Sequence, residues 1–184
     1  EYEAALSQVP ATGQRRAVLF LGSNIGNFHP AARQQFLAAL AAPLAAGDAL
    51  LIGFDLQKDP RQIRAAYDDR QGVTAAFNLN LLRRLNQELG ADFQLASWQH
   101  YADYDPLSGA ARSYLVSTQA QQVRLAALPD EVFAFAAWEV IHTENSYKFT
   151  RPQIEALAAA AGLRVQHFFT DAQGWFADVV LTKG

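Results

Sequence analysis

The chain alternates between short apolar runs and clusters of small polar residues. Ala17 to Leu21 (AVLFL) is unbroken apolar sequence, which predicts a strand buried on both faces, as in parallel sheets. It runs into a turn rich in Gly, Ser and Asn, from Gly22 to Asn27. His29 and Pro30 then open a helix, with Pro in its first turn and Phe36, Leu37 and Leu40 at helical spacing. Gly47 and Asp48 are expected to end that helix, and Ala49 to Phe54 (ALLIGF) is a second apolar run closed by Asp55. Strand, helix, strand over 17–55 predicts a parallel crossover unit.

The middle of the chain breaks this pattern. Residues 57–70 are polar, with a helix expected at Arg61–Ala66. Ala75, Phe77, Leu81, Leu82, Leu85 and Leu89 recur every three or four positions, predicting an amphipathic helix over 74–89 capped by Gly90. Residues 91–106 read as an aromatic, loop-rich piece around Phe93, Trp98, Tyr101 and Tyr104. Alternation over 113–126 and 132–136 predicts antiparallel strands. The crossover pattern then returns. An Ala-rich helix at 151–161 is bounded by Pro152 and Gly162. Strands at 163–169 and 176–181 are joined by a turn at Asp171–Gly174.

Composition bounds what such a chain does. Of its 184 residues, 51% are hydrophobic and 18% charged, enough for a real core. The net charge of -3 argues against nucleic acid as a partner. There is no cysteine, hence no disulfide or thiolate metal site, and a cytoplasmic setting is expected. No apolar run approaches the ~20 residues of a membrane span, so no membrane partner is expected. The chain begins with Glu1 and contains no Met, which suggests processing or a piece of something longer.

Three stretches carry candidate chemistry. In the first turn, Gly22 and Gly26 permit positive φ or close approach. Ligands of open parallel sheets bind beyond the carboxyl ends of strands. Asn27 offers donor and acceptor atoms suited to an amine or a carboxylate. An ordinary capped turn fits the same residues equally well. It is not a phosphate loop, since no Gly-Lys-Ser/Thr follows. The second stretch holds Tyr67, Asp68 and Asp69 before a helix start at 72–74. Adjacent carboxylates there are ordinarily capping groups, and a packed tyrosine is the plainer reading of Tyr67. In the third, Glu144, Asn145 and Ser146 interrupt an alternating strand. Glu144 and Ser146 share a side in extended backbone, where a carboxylate beside a hydroxyl suits a nitrogen ring or a cation. A solvent-facing strand end is equally consistent. His29, His100, His142 and His167 show no metal-binding spacing, so no metal is expected.

Taken in order, "FLGSNIGNF", "AYDDRQGVTAAFNLNLLRRLNQELGADF" and "TENSYKF" resemble the histidine-specific methyltransferases. This is the family of the enzyme that trimethylates the α-amino group of histidine in ergothioneine biosynthesis, using S-adenosylmethionine. The resemblance runs from about Arg15 to the end. It implies an α/β fold: the C-terminal half of a Rossmann-like class I methyltransferase sheet with an inserted α+β substrate-binding lobe. Residues 1–57 would be part of the sheet, 58–146 the inserted lobe, and 147–184 the closing helix and antiparallel strand pair.

The resemblance also assigns roles. Asn27 and Tyr67 would bind the amino and carboxylate end of the substrate and serve as the catalytic residues. Glu144 and Ser146 would recognise the imidazole, while Gly22 and Ser23 would lie by the cofactor. The implied activity is S-adenosylmethionine-dependent N-methylation of a small amino acid, histidine or a close analogue. No Gly-x-Gly loop follows a strand, so the chain is expected to be the C-terminal portion of a longer protein and inactive alone. Two readings compete: a non-catalytic methyltransferase-like binding or regulatory module, and a nucleotide-binding fold of unrelated chemistry. The chain departs from the family pattern at Ser113, where a Met lines the substrate pocket, and at Asn24, where a Thr is more usual.

Overall fold

The structure, a computed structural model, describes residues 14–183. Residues 1–13 of the expected first domain, and residue 184, lie outside the described residues. The chain divides into two compact units. One runs to Lys58 and resumes at Ser146; the other is Asp59–Asn145.

The first unit is a four-stranded mixed sheet with helices. Strand β1 (Ala17–Phe20) lies parallel to β2 (Ala49–Asp55), with Ala17 opposite Ala49 and Phe20 opposite Ile52. The crossover between them is helix α1 (Pro30–Ala41), as the apolar spacing predicts. Two elements late in the chain, β8 (Leu163–Thr170) and β9 (Phe176–Lys183), pair antiparallel across the Asp171–Gly174 turn. The sheet order is β1-β2-β9-β8, with β9 antiparallel to β2. One parallel crossover followed by an antiparallel strand pair is the order of elements expected above for this part of the sheet. Leu50, Ile52 and Phe54 of β2 and Val179 and Leu181 of β9 are fully buried, together with Leu37 of α1 and Ile154 of a further helix over Arg151–Ala160. Thr150 and Gln153 form a capping box at the start of that helix.

Two expectations need correction here. Strand β1 is not buried on both faces: Val18 and Phe20 pack on the core, while Leu19 and Leu21 are exposed. It pairs on one side only, at the end of the sheet order, and no described element covers its second face. Helix α1 stops at Ala41 rather than at Gly47, because Pro43 cannot continue it. Lys183 instead reaches the carbonyls of Ala42 and Leu44 with its Nζ, a cation at a helix C-terminus.

The released Asp48 has a different task. Its carboxylate accepts the N–H groups of Ala45 and Arg16 and the Arg16 guanidinium, at 2.7–2.9 Å. It therefore ties the start of β1 to the start of β2, where Ala49 N–H also donates to Arg16 O.

In the second unit, α2 (Pro60–Tyr67) and α3 (Val73–Leu89) accompany two small sheets. Asp59 caps the first helix, and Asp69 caps the second through the Val73 and Thr74 N–H groups. Those bonds, chiefly the one from Thr74, hold the Asp69 carboxyl at about 2. Gly90, at φ +61°, ends α3 in the left-handed conformation.

The strands here outnumber those predicted. Strand β3 (Trp98–Asp105) pairs antiparallel with β4 (Ala110–Ser117), in the piece read as loop-rich. Its buried positions are Trp98 and Ala102 rather than a row of aliphatics, so the alternation is faint. The continuous run expected over 113–126 is two strands, β4 and β5 (Gln121–Leu125), and β5 pairs with β6 (Leu128–Phe135). Strand β7 (Val140–Tyr147) joins the β3-β4 sheet, and Glu144, Asn145 and Ser146 lie within it rather than interrupting it. Leu82, Phe93, Trp98, Leu115 and Val123 form the core.

Asp48 yields a pH prediction. The Ala45 and Arg16 N–H bonds, then the guanidinium, hold its carboxyl at about 2. A depressed carboxyl stabilises the fold above its unfolded value of about 3.9, and the contribution disappears as pH falls through the folded value. Asp48→Asn should therefore lower the melting temperature at pH 7, with the gap to the parent closing between about pH 4 and pH 2. Thermal melts across that range check this; a gap unchanged at pH 2 rules it out.

Candidate active site

Two consecutive residues after β1 adopt positive φ: Gly22 at +80° and Ser23 at +58°. That hooks the chain away from the sheet into a 3₁₀ turn, Asn24–Asn27. A left-handed serine is strained, and its side chain compensates: Ser23 Oγ accepts the Asp55 N–H at 2.9 Å. A Cβ on Gly22 would have nothing within 4 Å, so its backbone is open to close approach. Gly26 is the opposite case. A Cβ there would lie 2.7 Å from the Tyr147 carbonyl oxygen. The turn thus packs backbone to backbone on the chain where β7 ends, at Tyr147, and the chain neighbours Asn27 and Ser146 come to one edge of this unit. Asn27 is exposed, and its amide is uncommitted among the described residues.

The segment after β7 is built into the end of β2. Phe149 N–H donates to Asp55 O, and Gln57 N–H donates to Phe149 O. Lys148, buried, points its Nζ at Asp55 Oδ2 (2.7 Å) and Ser146 Oγ (2.9 Å). Asp55 also holds Lys58 Nζ at 2.6 Å, and Lys58 donates to the Trp175 carbonyl. A carboxylate, two ammonium groups and a buried hydroxyl therefore form one network beyond the carboxyl ends of β1 and β2.

His29 and Arg33 add a second patch in this unit. The Arg33 guanidinium lies 4.6 Å from the ring centroids of both Tyr147 and Phe149, and burial pulls its pKa down.

The other expected residues lie in the second unit. Tyr67 is the half-buried last residue of α2, and Glu144 is half-buried on β7. Ser113 is buried on β4 with a hydroxyl that has no partner among the described residues. Its carbonyl lies 3.0 Å from Thr143 Oγ1, which is also 2.8 Å from Asn78 Oδ1. His100 is partly buried, and desolvation lowers its pKa. Among the described residues, no group of three or more His, Cys, Asp or Glu could hold a metal ion, and no helix is long and apolar enough to cross a membrane.

A family model described as histidine-specific, S-adenosylmethionine-dependent methyltransferase matches residues 1–183. The chain belongs to that family. It is 47% identical over 176 residues to a histidine N-alpha-methyltransferase of Mycolicibacterium smegmatis, and 43% identical to one of Mycobacterium tuberculosis. Each match covers 96% of this chain and 54% of the relative, so the chain spans about half the length of these relatives. It is also 30% identical to ergothioneine biosynthesis protein 1 of Neurospora crassa, over 82% of this chain and 17% of that protein.

Members of this family depend on S-adenosylmethionine, and the turn after β1 has groups that could line such a site. Gly22 has a backbone free to be approached, and the Ser23 hydroxyl accepts from Asp55 but keeps its own proton to donate.

Reading the sequence missed Asp55, Lys58 and Lys148. One signal was available: Glu144, Ser146 and Lys148 have the same parity in an extended segment, which aligns them on one side.

Gly26 tests this packing. Gly26→Ala sets a methyl against the Tyr147 backbone, which cannot rotate away. We expect a loss of about 1–3 kcal/mol in stability, from the overpacking. Chemical denaturation reads it directly, and a variant as stable as the parent would show that the two segments separate freely.

Proposed function

We propose that the protein to which this chain contributes methylates the α-amino group of histidine or a close histidine-like amino acid. Residues 58–146 serve as the substrate lobe of a cytoplasmic enzyme that acts on neither nucleic acid nor membranes. The reading is supported most by the polar turn after β1, held against the segment that carries Ser146, in a chain this similar to histidine N-alpha-methyltransferases.

S-adenosylmethionine, when bound, supplies an activated methyl group on a sulfonium. Gly22 and Ser23 would hold part of it. The chain's own work is alignment and recognition. A neutral α-amine is already a nucleophile, so holding it at roughly 3–3.5 Å and in line accounts for much of the acceleration. Asn27 carries a carbonyl that can accept from the amine and an amide that can donate to the carboxylate. Tyr67 binds the same end through its hydroxyl. Glu144 accepts an imidazole N–H, and Ser146 contacts the other ring nitrogen. Such a site rejects amino acids lacking those groups, because its own polar atoms would be left unpaired.

Glu144 is the discriminating test. In the full-length protein, Glu144→Ala should cost about 2–5 kcal/mol in kcat/KM for histidine. Steady-state assays over a panel of amino acids check it. A full-length protein that methylates no α-amine would point to the non-catalytic module, and equal histidine use by the variant would remove Glu144 from ring recognition.

A further inference from the structure

Lys148 lies against Ser146 in a way that fixes what the serine can do. Its Nζ is 2.9 Å from Ser146 Oγ and 2.7 Å from Asp55 Oδ2, and its side chain is almost fully buried. An ammonium has donors and no acceptor, so the direction of the first bond is set: Lys148 donates and the serine oxygen accepts. The serine proton must therefore point elsewhere. Donation from a cation also polarises the hydroxyl and strengthens it as a donor in turn.

We propose that Lys148 is a positioning residue for the acceptor site, holding Ser146 as a hydrogen-bond donor towards the substrate ring. This rests on the histidine-methylating reading above. With Glu144 as acceptor and Ser146 as donor, the pair on β7 offers one of each. A neutral imidazole needs that combination, since it has one N–H and one bare nitrogen. A serine without Lys148 rotates, accepting as readily as donating, and the match is lost. Asp55 keeps the ammonium in place, and its backbone N–H holds Ser23 on the other side.

A purely structural lysine would make different predictions. The test uses the full-length protein and measures kcat and KM for histidine and for S-adenosylmethionine separately. Lys148→Met should raise the histidine KM by about 10- to 100-fold, the range of a hydrogen bond to a charged group, with kcat and the cofactor KM changed little. Ser146→Ala should do the same. The double variant should be no worse than Ser146→Ala, because residues acting as one unit are not additive. Asp55→Asn, which keeps the side-chain shape, should raise the histidine KM by about threefold or more, again with no further loss on top of Ser146→Ala. It carries the test if Lys148→Met does not fold. An unmoved histidine KM, losses that multiply in the double variant, or a cofactor KM that rises equally would overturn the proposal. A wild-type protein inactive on histidine would instead overturn the functional reading beneath it.

Discussion

Asp55 is the residue through which the first unit is organised. Its N–H donates to Ser23 Oγ, its carbonyl accepts from Phe149 N–H, and its carboxylate faces Lys148 and Lys58. Three other pieces of chain converge on it at the end of β2: the turn after β1, the segment after β7 and, through Lys58, the Trp175 carbonyl. The arrangement has a cost. Taking an ammonium out of water costs several kcal/mol, and a partner repays it only with good geometry and further hydrogen bonds. Lys148 has both, in Asp55 and Ser146. Removing the carboxylate would leave a buried cation without its charged partner at Asp55, a worse state than the parent's. The ion pair thus fixes where the segment carrying Ser146 lies more than it adds net stability.

The backbone framework was legible in the sequence where one face of an element is aliphatic. Leu50, Ile52 and Phe54 mark β2, and their partners Val179 and Leu181 mark β9. The same signal failed at β3, where Trp98 and Ala102 are the buried positions and His100 and Tyr104 alternate with them. Tryptophan and alanine bury well, but they leave no aliphatic period to read. At β1 the error ran the other way. Five apolar residues predict burial on both faces, whereas burial depends on what lies alongside, and Leu19 is exposed at the end of the sheet. The Gly47–Asp48 turn signal overextends helix α1, because Pro43 already ends it.

The candidate site stands out in the sequence by its residue types and not by its bonds. Gly22, Asn27 and Ser146 stand out from their apolar surroundings. Asp55 reads as the end of a strand, and Lys148 as one residue of the TENSYKF stretch with no role of its own. Charged residues are almost never buried unless paired, so a lysine in sequence reads as exposed until its partner is known. That partner lies on another strand, and no local spacing reveals it.

The strain at Ser23 and the burial of Lys148 are two costs met by one residue. A non-glycine residue at φ +58° is held there by a side-chain bond to the Asp55 N–H. The same aspartate's carboxylate compensates the ammonium beneath Ser146. Small displacements of β2 at this point would move both together, since the turn is anchored by the backbone and the lysine by the side chain of a single position. The hooked turn and the hydroxyl of Ser146 are therefore not independent features that happen to share an edge. Their separation is set by the length of one aspartate and one lysine, and the close Gly26–Tyr147 backbone packing leaves little slack between them. A site that must hold a nucleophile within a few tenths of an ångström of in-line geometry gains from such a frame, because alignment is then a property of the fold and needs no further ordering when the substrate arrives.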